Sequence, residues 1–169
     1  MRNFLHEICA ASLLTATSSV ALAQSVTAVP ITVDNYNRAQ SDVYFGLTVK
    51  MGAFGKFVHG RELTPIDKRG IIRPNRDTMY SFAVFDFDAG PVTIRLPDAG
   101  KRFMSMQVIN EDQYTPAVYY GAGSHTLTKE GIGTRYGIVV VRMLVDPANP
   151  QDVHPVSYTH LTLPTTPYV

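Results

Sequence analysis

The chain has 169 residues, room for one domain, and its 45% hydrophobic and 17% charged content describes a globular protein and excludes a disordered one. The net charge is +1 with no run of lysine or arginine, which argues against nucleic acid or an anionic membrane surface as a partner, since such binding rests on clustered cations. No segment supplies the roughly 20 unbroken apolar residues of a membrane-spanning helix.

Residues 1–23 read as a signal peptide. Arg2 gives a positive start, Ile8 to Leu14 form an apolar and small-residue run, and Ala21-Leu22-Ala23 closes with the small-x-small pattern of a cleavage site. Glu7 is an unfavourable charge in this setting. Cleavage after Ala23 would leave Gln24 first, and the expected destination is the periplasm or the extracellular space. Cys9 follows bulky Ile8 and precedes most of the apolar run, so it does not fit a lipidated cysteine and should leave with the signal. The mature protein would then have no disulfide, thiol nucleophile or cysteine metal site.

Past the signal, Thr32 or Asp34 can cap a helix. Its apolar face would be Tyr36, Ala39, Val43, Leu47 and Met51, spaced for helix, with Gly52 and Gly55 ending it. From Val58 to Ile72 the chain reads as a polar loop. The period then changes to two. Thr78 to Phe87 alternates Tyr80, Phe82 and Val84 with Met79, Ser81, Ala83 and Phe85. Further strands are expected at Val92–Leu96, Phe103–Asn110, Ala117–Tyr120 and His125–Thr128. The β-branched run in Tyr136–Leu144 suits a strand buried on both faces. Asp146-Pro147-Ala148-Asn149-Pro150 breaks it. The expected fold is mainly β: an antiparallel jelly-roll-like sandwich or barrel preceded by one N-terminal helix.

Residues 156–169 break from this composition. Val156 to Val169 contains no charge, and its back-translation resembles the transposon-end adaptor used in preparing sequencing libraries. The native domain is therefore expected to span residues 24–155, with true protein sequence lost beyond about His154 and residues 156–169 an adaptor translation.

The segment Ile71-Ile72-Arg73-Pro74-Asn75-Arg76-Asp77-Thr78-Met79-Tyr80-Ser81 resembles the signature of the domain of unknown function 1254 family. The likeness continues through Asp86, Gly90-Pro91, Leu96-Pro97-Asp98, Arg102 to Gln107 and Tyr136-Gly137, over roughly Tyr36 to Asp152. It implies a β-rich, jelly-roll-like domain, often followed by a second β-domain (domain of unknown function 1214), so that this chain would be C-terminally truncated. Arg76 stands where asparagine is common in the family.

The densest polar group is Arg73, Asn75, Arg76, Asp77, Tyr80 and Ser81, at a loop-to-strand junction. Guanidinium, carboxylate, amide and hydroxyl groups there could grip an anionic or sugar-like small molecule. The same groups also suit ordinary turn duty, bonding their own backbone. His59 and His125 lack any metal-binding spacing, so no metal and no cofactor is expected, although Asp77 or Glu111-Asp112 could join them. There is no G-x-S-x-G elbow, and Gly123-Ser124-His125 sits in a turn, so no catalytic residue is assigned. Tyr114, Tyr119, Tyr120 and Tyr136 suit either a carbohydrate pocket or cross-strand packing. Two readings follow. One is an exported ligand-binding or assembly module whose partner is the missing C-terminal domain of the same chain, with self-association left open. The other is an esterase-like hydrolase whose site needs that missing half. The export reading predicts that protein recovered from a secreting bacterial host begins at Gln24 by intact mass; retention of Met1 would contradict it.

Overall fold

A computed structural model of the protein describes residues 28–67 and 74–159. The chain divides into two units, residues 1–30 and 31–169, and all the elements named below lie in the second. They are helix α1 (Tyr36–Lys50), strands β1 (Val58–His59), β2 (Thr78–Asp86), β3 (Val92–Leu96), β4 (Met104–Asn110), β5 (Ala117–Tyr120) and β6 (Gly123–Leu127), helix α2 (Lys129–Ile132), strand β7 (Tyr136–Leu144) and helix α3 (Pro150–Thr159).

Five strands form one antiparallel sheet in the order β1-β2-β7-β4-β5, and β3 pairs antiparallel with β6 in a separate two-stranded ribbon. The fold is thus mainly antiparallel β with a leading helix. Among the described residues the sheets do not close into a barrel, and that half of the expected alternative falls.

Alternation in β2, β7 and β4 sorts side chains onto two faces of the large sheet. One face carries Met79, Ala83 and Phe85 from β2, Val139, Val141 and Met143 from β7, and Met104, Met106 and Val108 from β4. The ribbon closes over this face with Val92, Ile94, Leu96 and Leu127, all buried. Each such side chain taken from water contributes about 1.5–3 kcal/mol, so this layer is the main source of stability. Gly137 in β7 belongs to the same packing: a Cβ there would lie 2.9 Å from Phe87 Cε2. Only glycine admits the Phe87 ring at that distance, which gives a physical reason for glycine after Tyr136.

On the opposite face, among the described residues, a second apolar cluster forms at one end. There α1 seats Phe45 on Val84 and Ile138, with Ile109, Tyr136 and Val140 around them. The helix lies where the sequence places it, but two expectations about it are corrected. Asn35, not Thr32 or Asp34, is the cap residue, and its side chain accepts from Thr32 N at 2.8 Å without capping the helix N–H groups. More important, the buried face is Ser41, Phe45 and Thr48, while Tyr36, Val43, Leu47 and Met51 point outward. Phe45 is 8% exposed and Leu47 53%. Both ends of the helix are tied down. Arg38 pairs with Asp112 and lies 3.5 Å from Glu111 at the end of β4. Beyond the other end, Val84 N donates to Ala53 O and Gly55 N to Val84 O, which stitches the chain after the helix onto β2. These anchors fix the rotation that hydropathy alone would assign to the opposite stripe.

Two short helices were absent from the sequence reading. Thr128 Oγ1 caps α2 by accepting from Gly131 N at 3.2 Å, and Gly133, at φ 83°, ends it after a single turn. Helix α3 carries an internal proline, Pro155, and is held by Arg102, whose guanidinium bonds both Asp152 carboxylate oxygens and, at 2.8 Å, Leu144 O. Val156, the first residue read as adaptor, is buried against the main core.

Candidate functional site

The structure does not gather the six polar residues of the loop-to-strand junction into one site. Arg73 lies outside the described residues. Asn75, Arg76 and Asp77 are exposed on the approach to β2, where Arg76 Nη2 donates to Ile66 O at 3.2 Å and Asp77 O accepts from Val145 N at 2.7 Å. Tyr80 and Ser81 are neighbours in β2 and so point to opposite faces of the sheet.

Ser81 lies on the closed face, is 0% exposed, and shares a 2.8 Å hydrogen bond with His59 Nδ1 across the β1–β2 pair. A serine beside a histidine is the start of a hydrolytic constellation, but the setting is wrong for one. The serine has no access to solvent, and the imidazole stacks on Phe57 with centroids 6.3 Å apart. No hydrogen bond or ion pair of His59 to a carboxylate is found among the described residues. Burial, and secondly the charge of Arg61, holds the His59 imidazole below its ordinary value of 6.5. This is a neutral histidine packed into the fold, not a base raised for catalysis.

The other candidates are used up structurally. His125, in the β3–β6 ribbon, packs against Tyr119 of β5 with ring centroids 4.1 Å apart, and no hydrogen bond joins it to Ser81 among the described residues. Among the described residues no three His, Cys, Asp or Glu side chains converge as metal ligands. Glu111 and Asp112 serve Arg38, and Glu111 Oε2 accepts from Tyr136 N at 3.0 Å. The four tyrosines line no common pocket. Tyr114 and Tyr120 are exposed, Tyr119 packs on the core, and Tyr136 lies under the Arg135 guanidinium, 4.9 Å from the ring centroid. Arg135 in turn bonds Asp86 with both carboxylate oxygens and holds that carboxyl below its usual range.

What the sequence reading missed is the end of the large sheet's helix-side face outside the α1 cluster. Cross-strand register places Tyr80 (β2), Arg142 (β7), Ser105 (β4) and Tyr120 (β5) in one row on that face. The next row is Phe82, Val140, Gln107 and Val118. Tyr80 and Phe82 stack nearly parallel, 5.6 Å apart, and Phe103 leans on Tyr120 at 6.0 Å. Arg142 Nη2 donates to Gln107 Oε1 at 2.9 Å, while Gln107 Nε2 donates to Thr115 Oγ1 at 3.0 Å. The signal in the sequence was a lone cation in a strand otherwise made of β-branched and apolar residues.

With the geometry in view, the class is a two-sheet antiparallel β-domain with a leading helix. The chain matches the family described as "Protein of unknown function (DUF1254)" over residues 54–165, and it belongs to that family. The match starts after α1 and runs into the segment read as adaptor. In fold the domain is similar to the VPA0106 protein from Vibrio parahaemolyticus, a crystal structure, with a TM-score of 0.56 and 14% identity. That likeness covers 78% of this chain and 35% of the Vibrio protein, so this chain spans about a third of its length. No curated protein matches the chain in sequence.

The perturbed groups predict how stability responds to acid. His59 has a folded pKa below its unfolded value, so its contribution is present above 6.5 and is lost as pH falls through that value toward the folded one. Asp152, held down to about 2 by Arg102, adds a second loss only below its ordinary 3.8. Urea melts above and below 6.5 should therefore show a first decline that His59→Gln, which keeps a hydrogen-bonding group beside Ser81, removes. An unchanged decline in that variant would sink the assignment.

Proposed function

We propose that this domain is an exported assembly module that docks, through the outward stripe of α1, against a further β-domain of the same polypeptide. The observation that carries the reading is the stripe itself. Tyr36, Val43, Leu47 and Met51 recur at helical spacing and stand in solvent, although the same helix buries serine and threonine on its other side. Stripes of this kind on helices mark surfaces that another protein surface covers. That the chain spans 35% of the Vibrio protein is consistent with more polypeptide around such a domain. Export rests on the Ala21-Leu22-Ala23 pattern.

The esterase-like alternative draws support from one contact, Ser81 with His59, and is weakened by the burial of that serine. A nucleophile must be reachable, paired with a base, and oriented through a third group. Among the described residues the pairing is found with the serine buried.

The docking reading predicts that the chain on its own self-associates or binds a hydrophobic dye in light-scattering and fluorescence measurements. Replacing Val43 and Leu47 together by lysine should abolish both effects and change stability by less than about 1 kcal/mol, since these are exposed helix positions. A monodisperse, dye-silent wild-type chain would contradict it, as would loss of folding in the double variant.

A further inference from the structure

The open face beyond α1 combines three features that do not occur together elsewhere among the described residues. The first is an unmatched cation. Two described arginines are withdrawn from full exposure, Arg102 and Arg142. Arg102 has Asp152, whereas the partner of Arg142 is the neutral amide oxygen of Gln107, and its Nε is buried with no hydrogen bond. None of the residues paired with it in the neighbouring rows is acidic: Tyr80 and Ser105 in its own row, Phe82, Val140 and Gln107 on one side, Thr78 and Leu144 on the other.

The second is a pair of orphan hydroxyls around that cation. Ser105 is directly opposite Arg142, is 1% exposed, and its Oγ has no partner. Thr78, one row away on β2, is 6% exposed with an unpartnered Oγ1. Buried polar groups are nearly always satisfied in folded proteins, so three orphans facing one patch need a common explanation. The Ser105 hydroxyl and the guanidinium fork opposite it make a set complementary to a planar oxyanion.

The third is an aromatic rim that can open. Tyr120 stands directly across from Ser105 and is 66% exposed, with Phe103 against it; on the other side Tyr80 and Phe82 present stacked faces. Exposed side chains change rotamer in picoseconds to nanoseconds, so Tyr120 can leave Ser105 without disturbing the sheet. Adjacent strands lie about 4.8 Å apart, which makes the row from Tyr80 to Tyr120 about 14 Å long, the span of a single small ring with its substituent and flanking contacts.

We propose that the Tyr80–Arg142–Ser105–Tyr120 row binds a small carboxylate carried on a flat apolar body. The carboxylate meets the Arg142 fork and the Ser105 hydroxyl directly across from it, and the apolar body lies between the aromatic pairs. A single guanidinium with no lysine beside it in the rows matches one negative charge, so a monoanionic carboxylate fits better than a phosphate dianion. The site does not depend on what covers α1, and its test reads different residues.

The test is a titration of the isotope-labelled full chain with benzoate and, separately, with benzamide, which has the same shape without the charge, followed by amide chemical shifts. Benzoate should perturb the amides of Tyr80, Ser105, Gln107 and Arg142, and benzamide should not. Arg142→Lys, which keeps the charge but loses the fork, should weaken binding roughly tenfold or more. Ser105→Ala should fold at least as well as the wild type, because it removes an orphan hydroxyl, yet bind benzoate several-fold more weakly. Equal response to benzamide, shifts confined to other parts of the chain, no response to benzoate, or unchanged affinity in both variants would each overturn the proposal.

Discussion

The two-sided burial of β7 is the constraint from which the rest of the domain follows. Its run Ile138-Val139-Val140-Val141 sends β-branched side chains to both faces of the sheet, and a strand of that kind has to sit in the middle with cover above and below. Pairing with β2 on one side and β4 on the other places it there. The β3–β6 ribbon then packs on the Val139 and Val141 side, while α1 packs on the Ile138 and Val140 side at one end. Past that end the strand continues to Arg142, and the polar and aromatic character of the open face begins.

Much of this was legible because period-two alternation is a strong signal. The faces of β2 were assigned correctly from Met79, Ser81, Ala83 and Phe85 against Tyr80, Phe82 and Val84, and β3, β5 and β7 fall at the expected residues. The helix shows where that kind of reading stops. Hydropathy selects the stripe through Val43 and Leu47 for burial, yet ion pairs from Arg38 and the backbone stitch at Ala53 to Gly55 choose the face through Phe45. Such anchors join residues far apart in the chain and leave no local trace. The single-turn α2 and the proline-containing α3 were missed for a related reason: one turn has too few residues to show a period, and Pro155 argues against helix on local grounds.

The candidate site was legible in composition but not in arrangement. A dense polar stretch from Arg73 to Ser81 suggested a ligand, but alternation within β2 divides Tyr80 from Ser81, and the serine finds its partner, His59, inside the fold. The residues that do converge come from four strands, and each is unremarkable alone. Arg142 stands out in β7 as its lone cation, but that it lacks a carboxylate emerges only once its neighbours across β2 and β4 are known. The domain thus presents two unfinished surfaces on one side of its sheet, an apolar stripe on the helix and a cationic, aromatic-rimmed row beyond it.

The docking stripe rests on the rotation of α1 about its own axis, and cysteine labelling reads that rotation directly. In a background with Cys9 replaced by serine, Phe45→Cys and Leu47→Cys would be treated with a water-soluble maleimide under native conditions. The account predicts rapid modification at position 47 and strong protection at position 45, until denaturant makes the two equal. Rapid modification at 45 with protection at 47 would mean that the helix buries its apolar stripe after all, and the docking surface would not exist.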